Sequence, residues 1–345
     1  MKRVGRVAKW LLLGATLVVL LLLSPVLYVE TACRGPKVEP SGTASLLPPE
    51  HRRSEARTLM TYPEWHIVHA YDDYARVTQQ GAPHDYAFLR AIGQFWGTYC
   101  DLAKLAPHHG GADADTRLTI HVIGVSFTAE MLLKALYEES LGRAAYTLFG
   151  RGPLDDVAAR QSAEYAAFLR QVPWYRWDFA EMAEELTSAS TGSARDRERS
   201  LALGLEYGAK AAYAGVIAGA VAATGADDLT LRSVLTGAAP SELSRIDGVT
   251  VIGPRGPGVE IETPRYAAFT DLLPELARTG ARFVEIAGND EIMLTLTGPD
   301  GVPGAFETLP RQGYGDLRSL LLTPVGDLLD ILRAQPEAIE HVHDY

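Results

Sequence analysis

The sequence predicts an α+β protein held by one N-terminal membrane helix, and three observations lead to this prediction. Residues 10–29 form an apolar run that contains no charged side chain. Apolar residues then recur at helical spacing as far as residue 225. Beyond residue 225 they alternate in short segments that are typical of strands. We therefore expect a transmembrane anchor, an all-helical domain and a strand-rich C-terminal domain, in that order.

The apolar run has the length that a transmembrane helix needs. About twenty residues at 1.5 Å each cross a hydrocarbon core of roughly 30 Å, so residues 10–29 are predicted to span a bilayer. The tail before the run, residues 1–9, contains Lys2, Arg3, Arg6 and Lys9. Because Lys and Arg are enriched in cytoplasmic flanks, we expect the N-terminus in the cytoplasm of a bacterium and the C-terminal domains on the periplasmic side of its inner membrane.

The run is expected to stay on the mature chain. Cleavage after Ala32 would place Glu30 three residues before the cut, where a signal peptidase site has a small residue. Lipidation of Cys33 is an alternative, but Glu30 then occupies a position that normally holds an aliphatic residue. An uncleaved single-pass anchor follows, with the lipid bilayer as its partner.

Composition and cysteine content narrow the classes of partner. The formal net charge is −11 at pH 7. Nucleic acid is not expected as a partner, because binding phosphate backbones requires a basic face. Cys33 and Cys100 are the two cysteines, and a periplasmic location permits a disulfide between them. Two unpaired thiols are the alternative, since the sequence does not give the distance between their Cα atoms.

The middle of the chain is predicted to be a linker followed by helices. Residues 30–56 are rich in Pro, Gly and Ser, which is typical of a linker. The helical domain is predicted over residues 57–225. Its helices are expected at residues 59–77, 86–105, 118–148, 157–171 and 201–223. Small residues surround much of the last helix, so we expect it to be a buried core helix in close contact with its neighbours.

The C-terminal domain, residues 226–345, is predicted to be ferredoxin-like with extra strands. A strand, a helix, a hairpin of two strands, a helix and a strand give the order βαββαβ of the ferredoxin-like fold. These elements are predicted at residues 229–235, 240–246, 249–253, 259–263, 266–279 and 282–287. Further strands are predicted at 291–297, 317–323 and 339–343, with a helix at 326–334. No internal repeat is evident in the sequence.

One predicted helix has the side chains for a metal site. His66, His69 and Asp73 follow at i, i+3 and i+7, so they share one helical face. Two imidazoles and a carboxylate can hold zinc or another divalent metal with a position left open for water, which makes a divalent metal the one candidate cofactor. The alternative is a structural role in which Thr61 caps the helix, Glu64 completes a capping box and the histidines pack.

A second group of side chains is suited to acid–base catalysis. Glu130, Lys134 and Glu138 follow one another at one helical turn, and Glu206 and Lys210 repeat that spacing on the small-residue helix. If these helices pack together, they bury a network of carboxylates and ammonium groups, whose pKa values then shift. The alternative is two partly exposed pairs that each contribute a few tenths of a kcal/mol.

Common catalytic motifs are absent from the sequence, including a Walker-type glycine loop, a Gly-x-Ser-x-Gly elbow, an HExxH motif and a CxxC pair. We therefore expect a non-enzymatic membrane-anchored envelope protein that acts as a scaffold or binds an envelope protein partner. The alternative is a membrane-tethered metal-dependent hydrolase, with His66, His69 and Asp73 on the metal and Glu130 or Glu206 as general base. A third possibility is a small-ligand sensor with a cleft between the two domains.

Four segments of the chain resemble those of an uncharacterised bacterial membrane-anchored family. They are residues 61–71 (TYPEWHIVHAY), 123–130 (IGVSFTAE), 205–213 (LEYGAKAAY) and 284–290 (VEIAGND). The resemblance covers most of the chain. It implies membrane attachment, and no activity, cofactor or ligand comes with it.

Overall fold

The computed structural model describes residues 2–36, 44–224 and 229–344. Helices fill the N-terminal two thirds, and two four-stranded antiparallel sheets follow, so the α+β class predicted from the sequence is confirmed. The described α-helices are α1 (Lys2–Ala32), α2 (Glu55–Gln80), α3 (Phe88–Leu105), α4 (Ala114–Tyr137), α5 (Arg143–Phe149), α6 (Pro153–Leu169), α7 (Phe179–Ala189), α8 (Ala194–Thr224), α9 (Pro240–Leu243), α10 (Ala267–Arg278) and α11 (Leu328–Ala334). A π-helical turn, Glu138–Gly142, joins α4 to α5.

The helix α1 is long and apolar enough to span a membrane, which suggests membrane anchoring. The continuous helical stretch Ala114–Phe149 meets the same test of length and hydropathy, although 28% of its apolar window is buried within the protein. A soluble core helix can also meet that test. The helix α1, whose apolar window has no buried part, is the candidate single transmembrane segment.

Cys33 and Cys100 form a disulfide, with their Cα atoms 5.0 Å apart. The bond fastens the end of α1 to α3. It also occupies the thiol that lipidation of Cys33 would need, so the structure favours the disulfide over both free cysteines and acylation.

The second half of the predicted linker is docked on the first sheet. The backbone N–H groups of Leu46 and Leu47 donate to the two carboxylate oxygens of Glu285, at 2.9 and 2.8 Å. Leu47 is fully buried. The first half of this segment includes residues 37–43, which lie outside the described residues.

The helix α2 begins at Glu55, earlier than the predicted start at residue 59. It starts after Ser54, so the predicted capping role of Thr61 is wrong, and the Thr61 hydroxyl instead donates to the Thr58 carbonyl. Leu59 and Met60 are buried. Because this apolar packing extends the helix toward its N-terminus, Pro63 lies inside α2 at the cost of one backbone hydrogen bond.

The prediction that the small-residue helix is a buried core helix is wrong for α8. Leu203, Tyr207 and Ala214 are buried on its inner side. On the outer side, a Cβ atom added at Gly208 or Gly215 would meet no atom within 4 Å, so that side has no neighbour among the described residues. The small residues of α8 predicted close helix packing, but composition does not tell on how many sides of the helix other elements pack.

The first sheet contains β1 (Thr230–Thr236), β2 (Thr250–Arg255), β3 (Gly258–Pro264) and β4 (Arg282–Ile286). Its strand order is β2-β3-β1-β4, and neighbouring strands are antiparallel. The second sheet contains β5 (Glu291–Gly298), β6 (Glu307–Pro310), β7 (Leu317–Pro324) and β8 (Ile339–His343). Its strand order is β6-β7-β5-β8, again antiparallel.

The two sheets repeat one pattern of strand pairing that the sequence did not reveal. In each, the first strand lies between the third and the fourth, and a helix, α10 or α11, precedes the fourth. The register also shifts in the same pair of each sheet, between Val234 and Leu235 and between Thr295 and Leu296.

Separate apolar cores lie within the helical part and within the two-sheet part. A smaller cluster joins them, in which Leu59 and Tyr62 of α2 and Leu102 of α3 pack against Met293 and Leu320 of the second sheet. The helix α2 therefore lies at the junction of the two halves and positions side chains from both.

Candidate functional site

The four side chains predicted for acid–base chemistry are close together in the structure. Lys134 Nζ lies 2.9 Å from Glu206, and Lys210 Nζ lies 2.7 Å from Glu130 and 3.0 Å from Glu206. The Tyr71 hydroxyl of α2 donates to Glu130 and accepts from Lys210 at 3.0 Å. The helices α4 and α8 run antiparallel, so one turn of each presents its charges to the other.

Little free space adjoins this ionic network. The cavity that Tyr71, Lys134, Glu206 and Lys210 help to line has a volume of about 30 Å³. That volume has room for about two or three water molecules. A catalytic role for the four side chains stays a prediction, and in this conformation their chemistry is mutual charge compensation.

Two further buried ion pairs continue the network around the π-helical turn. Arg199 donates to both carboxylate oxygens of Glu138, at 2.9 and 3.1 Å. Arg195 does the same to Asp155, at 2.6 and 2.8 Å. Because each of these four residues is about 5% exposed or less, each charge depends on its partner for solvation.

The three predicted metal ligands have separate partners. His66 Nε2 lies 3.3 Å from the Ala91 carbonyl oxygen, and the ring is flanked by Phe95 and Phe127. His69 Nδ1 lies 3.6 Å from Glu340, and Asp73 accepts from the Gln312 backbone N–H at 2.9 Å.

No group of three or more His, Cys, Asp or Glu in the described part of the chain is arranged to hold a metal ion. The physical reason lies in the packing of α2, whose neighbours draw these side chains in different directions. His66 faces α3 and α4, whereas His69 and Asp73 face the second sheet. We therefore propose no metal-dependent activity from these residues.

His69 and Asp73 instead belong to an ionic cluster between the two halves of the protein. Its centre is Arg318 of β7, whose Nε lies 2.6 Å from Glu340 of β8 and whose Nη2 lies 3.5 Å from Asp73. Arg311 approaches Glu340 at 3.6 Å. Burial opposes the charge on Arg318, but hydrogen bonding to Glu340 outweighs it and raises the Arg318 pKa. Burial likewise favours a neutral Glu340, yet Arg318 keeps the Glu340 pKa below its usual value.

A cluster of aromatic rings and histidines lies beside the ionic cluster. The Trp65 ring stacks on His341 with centroids 3.4 Å apart, and Tyr62 contacts the edge of His343 at 5.0 Å. His343 Nε2 lies 2.6 Å from the Thr295 hydroxyl. Burial lowers the pKa of His343 to about 3 and that of His341 well below its ordinary value, so both rings are neutral at pH 7.

We expect a His341→Gln/His343→Gln variant to lose less stability than the wild type between about pH 6.5 and 4.5. The unfolded chain protonates both histidines below about pH 6.5. The folded chain does not, because burial lowers both pKa values. The unfolded state therefore binds more protons, and wild-type stability falls as the pH decreases through this window. Urea unfolding midpoints measured across the window test this.

Comparing the double variant with the wild type separates the effect of the histidines from that of two buried carboxyl groups, which change the stability in the opposite direction. Burial raises the pKa of Asp73 to about 6 and that of Asp344 to about 7, so both stabilise the fold as the pH decreases toward 4. They are present in both proteins, and their contribution cancels in the difference. The exposed His108 gives a control variant, His108→Gln, which should follow the wild type. Parallel wild-type and double-variant curves would contradict the prediction.

A cleft of about 720 Å³ opens next to the histidine cluster. One wall comes from residues 50–58 and the first turns of α2 and α4, and the other comes from β1, β3, the start of α10 and the C-terminus. Its charged and aromatic lining residues include Arg52, Arg53, Arg57, Glu64, Trp65, Asp113, Arg232, Glu262, Arg265, Tyr266, His343 and Asp344. The volume lies within the range of small-molecule sites, and domain junctions are where such sites form.

Backbone strain marks the inner wall of the cleft. Tyr266 has φ 63° and ψ −135°, a conformation that costs about 1–3 kcal/mol in a residue with a Cβ atom. Its backbone N–H donates to Asp344 at 2.7 Å. Burial raises the pKa of Asp344 to about 7, and Arg265, 3.8 Å away, offsets this only in part. A strained backbone and a titrating carboxyl group therefore meet at one point of the wall.

The C-terminal members of this region were not predicted from the sequence. His341 and His343 alternate with buried Val342 on the correctly predicted last strand, and that alternation indicates that both histidines share one face. Nothing in the pattern tells which helix that face meets. The contact with Trp65 depends on how the second sheet packs against α2.

Comparison with known proteins adds no identification. No family model matches the chain, and no match was found among curated proteins or among solved structures. The function is therefore inferred from the geometry of this chain alone.

Proposed function

We propose that this chain is a membrane-anchored, non-enzymatic binding protein whose cleft between the two halves takes a small polar ligand with an anionic group. The observation that supports it most directly is the 720 Å³ cleft lined by both halves. A ligand held there contacts the helical wall and the sheet wall together, so its binding couples the two halves.

One arginine of the cleft, Arg57, supports an anionic ligand. Arg232 is already paired with Glu260 and Glu262, and Arg52 donates to the carbonyls of Leu47 and Ser45. Arg57 makes no hydrogen bond or ion pair to any side chain that the structure describes, although it lies near enough to Asp113 to act on its charge. Arg57 is thus available to pair with a carboxylate or phosphate oxygen of a ligand.

The inner wall adds groups that can orient such a ligand. His343 lines the cleft and is buried, and its Nδ1 has no hydrogen-bond partner among the described residues. Trp65 offers an aromatic face. Asp344 has a pKa near 7, so at neutral pH its carboxyl group can accept a hydrogen bond when ionised or donate one when protonated.

We also propose the membrane topology inferred from the sequence. The four basic residues of the N-terminal tail favour a cytoplasmic N-terminus, which leaves the cleft on the periplasmic side of a bacterial inner membrane. We also infer a ferredoxin-like arrangement for the unit from β1 to β4, and its support is the order β2-β3-β1-β4 with antiparallel neighbours. By analogy of fold alone, such a unit agrees with a binding role.

Binding of a defined anion to the full-length protein in nanodiscs tests the cleft. Inorganic pyrophosphate serves as a soluble probe, titrated by calorimetry into nanodiscs of phosphatidylcholine. We expect Arg57→Glu to weaken binding by roughly tenfold or more, because a hydrogen bond to a charged group contributes about 1.5–3 kcal/mol. Arg90, exposed on α3 and outside the cleft, provides the matched control Arg90→Glu, which should bind as the wild type does.

The control decides how the result is interpreted. Equal losses in both variants would mean that overall charge, and not the cleft, governs binding. Absence of binding to the wild type at millimolar pyrophosphate would reject an anionic ligand for the cleft.

An envelope protein partner remains the second part of the proposal, as expected from the sequence. Crosslinking in intact membranes followed by purification is its test. A partner that is recovered reproducibly from wild type and lost with Arg57→Glu would place the protein interaction at the cleft. Repeated recovery of the chain alone would count against a stable partner.

A further inference from the structure

The membrane helix is partly covered by the helical part of the protein. From Lys9 to Leu21 every side chain of α1 is exposed, whereas Leu22, Pro25, Val26 and Val29 are partly or fully buried. These four positions recur every three to four residues and so form one stripe. Val29 belongs to the core of the helical part and Val26 packs against that core, while Glu30 lies 3.5 Å from His121 of α4.

The covered stripe falls inside the apolar run that is predicted to span the bilayer. From Leu22 to Val29 is about 11 Å along the helix axis, and from Trp10 to Leu21 is about 17 Å. The uncovered part is therefore shorter than a hydrocarbon core of roughly 30 Å. If α1 spans the bilayer, the helical part that covers its last turns must enter the same leaflet.

The surface of α4, which packs against α1, and that of α8, which is ion-paired with α4, are suited to this position. On α4, Leu133 is 68% exposed, and on α8, Leu205 is 69% exposed. These leucines directly precede Lys134 and Glu206, which form an ion pair between the two helices. Each leucine therefore lies next to the ion pair on the exposed surface. Further exposed apolar side chains on these helices are Leu118, Val122, Leu136, Leu201, Tyr213 and Val216.

The charged side chains of α4 and α8 in this region pair with one another. Between residues 118 and 136 of α4 and between 201 and 219 of α8, the charged residues are Glu130, Lys134, Glu206 and Lys210, and all four pair with one another. Each stretch is about 27 Å long. The exposed surface of another helix in the same part is different, since Asp156, Arg160 and Glu164 of α6 are exposed.

We infer that the outer face of α4 and α8 is a lipid-contacting surface that sits in the leaflet around the end of α1. The inference rests on α1 being the membrane anchor. A large apolar face without exposed charge is unfavourable in water and favourable against acyl chains. Continuity with α1 identifies the bilayer as its occupant, because the stripe that packs on α4 belongs to the run that lies in the membrane.

Site-directed labelling of the full-length protein in nanodiscs tests the inference. Both native cysteines are in the disulfide, so a single added cysteine can be labelled with an environment-sensitive fluorophore. The variants are Leu133→Cys and Leu205→Cys on the proposed face, Glu164→Cys on α6, and Leu20→Cys as the reference for α1. Lipids with bromine on their acyl chains and aqueous iodide serve as the two quenchers.

We expect brominated lipid to quench the labels at 133 and 205 about as strongly as the label at 20, with iodide having little effect on all three. The label at 164 should show the reverse. Iodide quenching at 133 and 205 with lipid quenching at 20 would reject the lipid-contacting face and leave the anchor intact. Iodide quenching at 20 would reject the anchor itself.

A second copy of the chain is the other possible occupant, and the same variants detect it. If two copies meet through this face, labels at 133 and 205 are shielded from both quenchers. The unlabelled Leu205→Cys protein then forms an intermolecular disulfide under mild oxidation. That pair of results would overturn the inference in favour of a dimer interface.

Discussion

Replacing Arg318 with methionine should destabilise the protein by about 3–5 kcal/mol, because this removes one partner from a buried ion-pair cluster. Arg318 is 5% exposed and neutralises Glu340 and Asp73 together. Without it, both carboxylates remain buried between α2 and the second sheet. Chemical unfolding of the detergent-solubilised protein measures the loss.

Two further variants show whether buried charge is the cause. Arg160→Met removes exposed pairs with Glu164 and Glu185, and it should cost less than about 1 kcal/mol. Arg318→Met combined with Glu340→Gln removes one of the stranded charges, so it should be more stable than Arg318→Met alone. A loss below about 1 kcal/mol for Arg318→Met would show that the cluster is solvated, and the interface described here would then be wrong.

Removing the disulfide should cost about 4 kcal/mol, because it closes a loop with a sequence separation of 67 residues and so restricts the unfolded chain. Cys100→Ser, Cys33→Ser and the double variant should lose equal amounts, since any one of them breaks the bond. Reductant should destabilise the wild type by the same amount. Unfolding midpoints with and without reductant measure this.

The double cysteine variant is also the control for effects of the reductant other than reduction of the disulfide. Reductant should not change the stability of the double variant, which has no cysteine left to reduce. A wild type that is insensitive to reductant would mean that the bond is absent in the isolated protein. Greater loss in the double variant than in either single variant would show that the serines disturb packing at Val29 and α3.

Local sequence pattern predicted the strands of the C-terminal part closely. The strands expected at 317–323 and 339–343 are observed as Leu317–Pro324 and Ile339–His343. Alternation of apolar residues reports which face of a strand is buried, and turn residues mark its ends. The short strand β6, Glu307–Pro310, was missed because it carries no apolar alternation, and its burial alternates only between partial and exposed.

Helix boundaries and burial were predicted less well. The helix α7, Phe179–Ala189, was not predicted, and the aromatic residues before it include Trp174 and Trp177, which pack in the helical core. The exposed outer side of α8 was taken for a buried one. Helical periodicity describes a helix in isolation, whereas burial depends on which neighbours the chain provides.

The candidate sites were likewise predicted only in part from the sequence. Spacing raised the alternative that Glu130, Lys134, Glu206 and Lys210 meet, and the structure brings them together, since each pair lies one turn apart on its own helix. Spacing also put His66, His69 and Asp73 on one face, but the three side chains fan out to different neighbours. One face of α2 contacts two different parts of the protein, the helices α3 and α4 and the second sheet, so residues on that face need not meet.

From its sequence alone, this protein was determined to be an α+β chain with an N-terminal helix able to span a membrane, because hydrophobic length and period are local properties. Only the tertiary structure decided that Cys33 pairs with Cys100, that Arg318 joins the two halves, and that a polar cleft opens between them. These features depend on residues that are far apart in the chain. Their contacts are set by how the helices and sheets pack, which no local pattern of residues encodes.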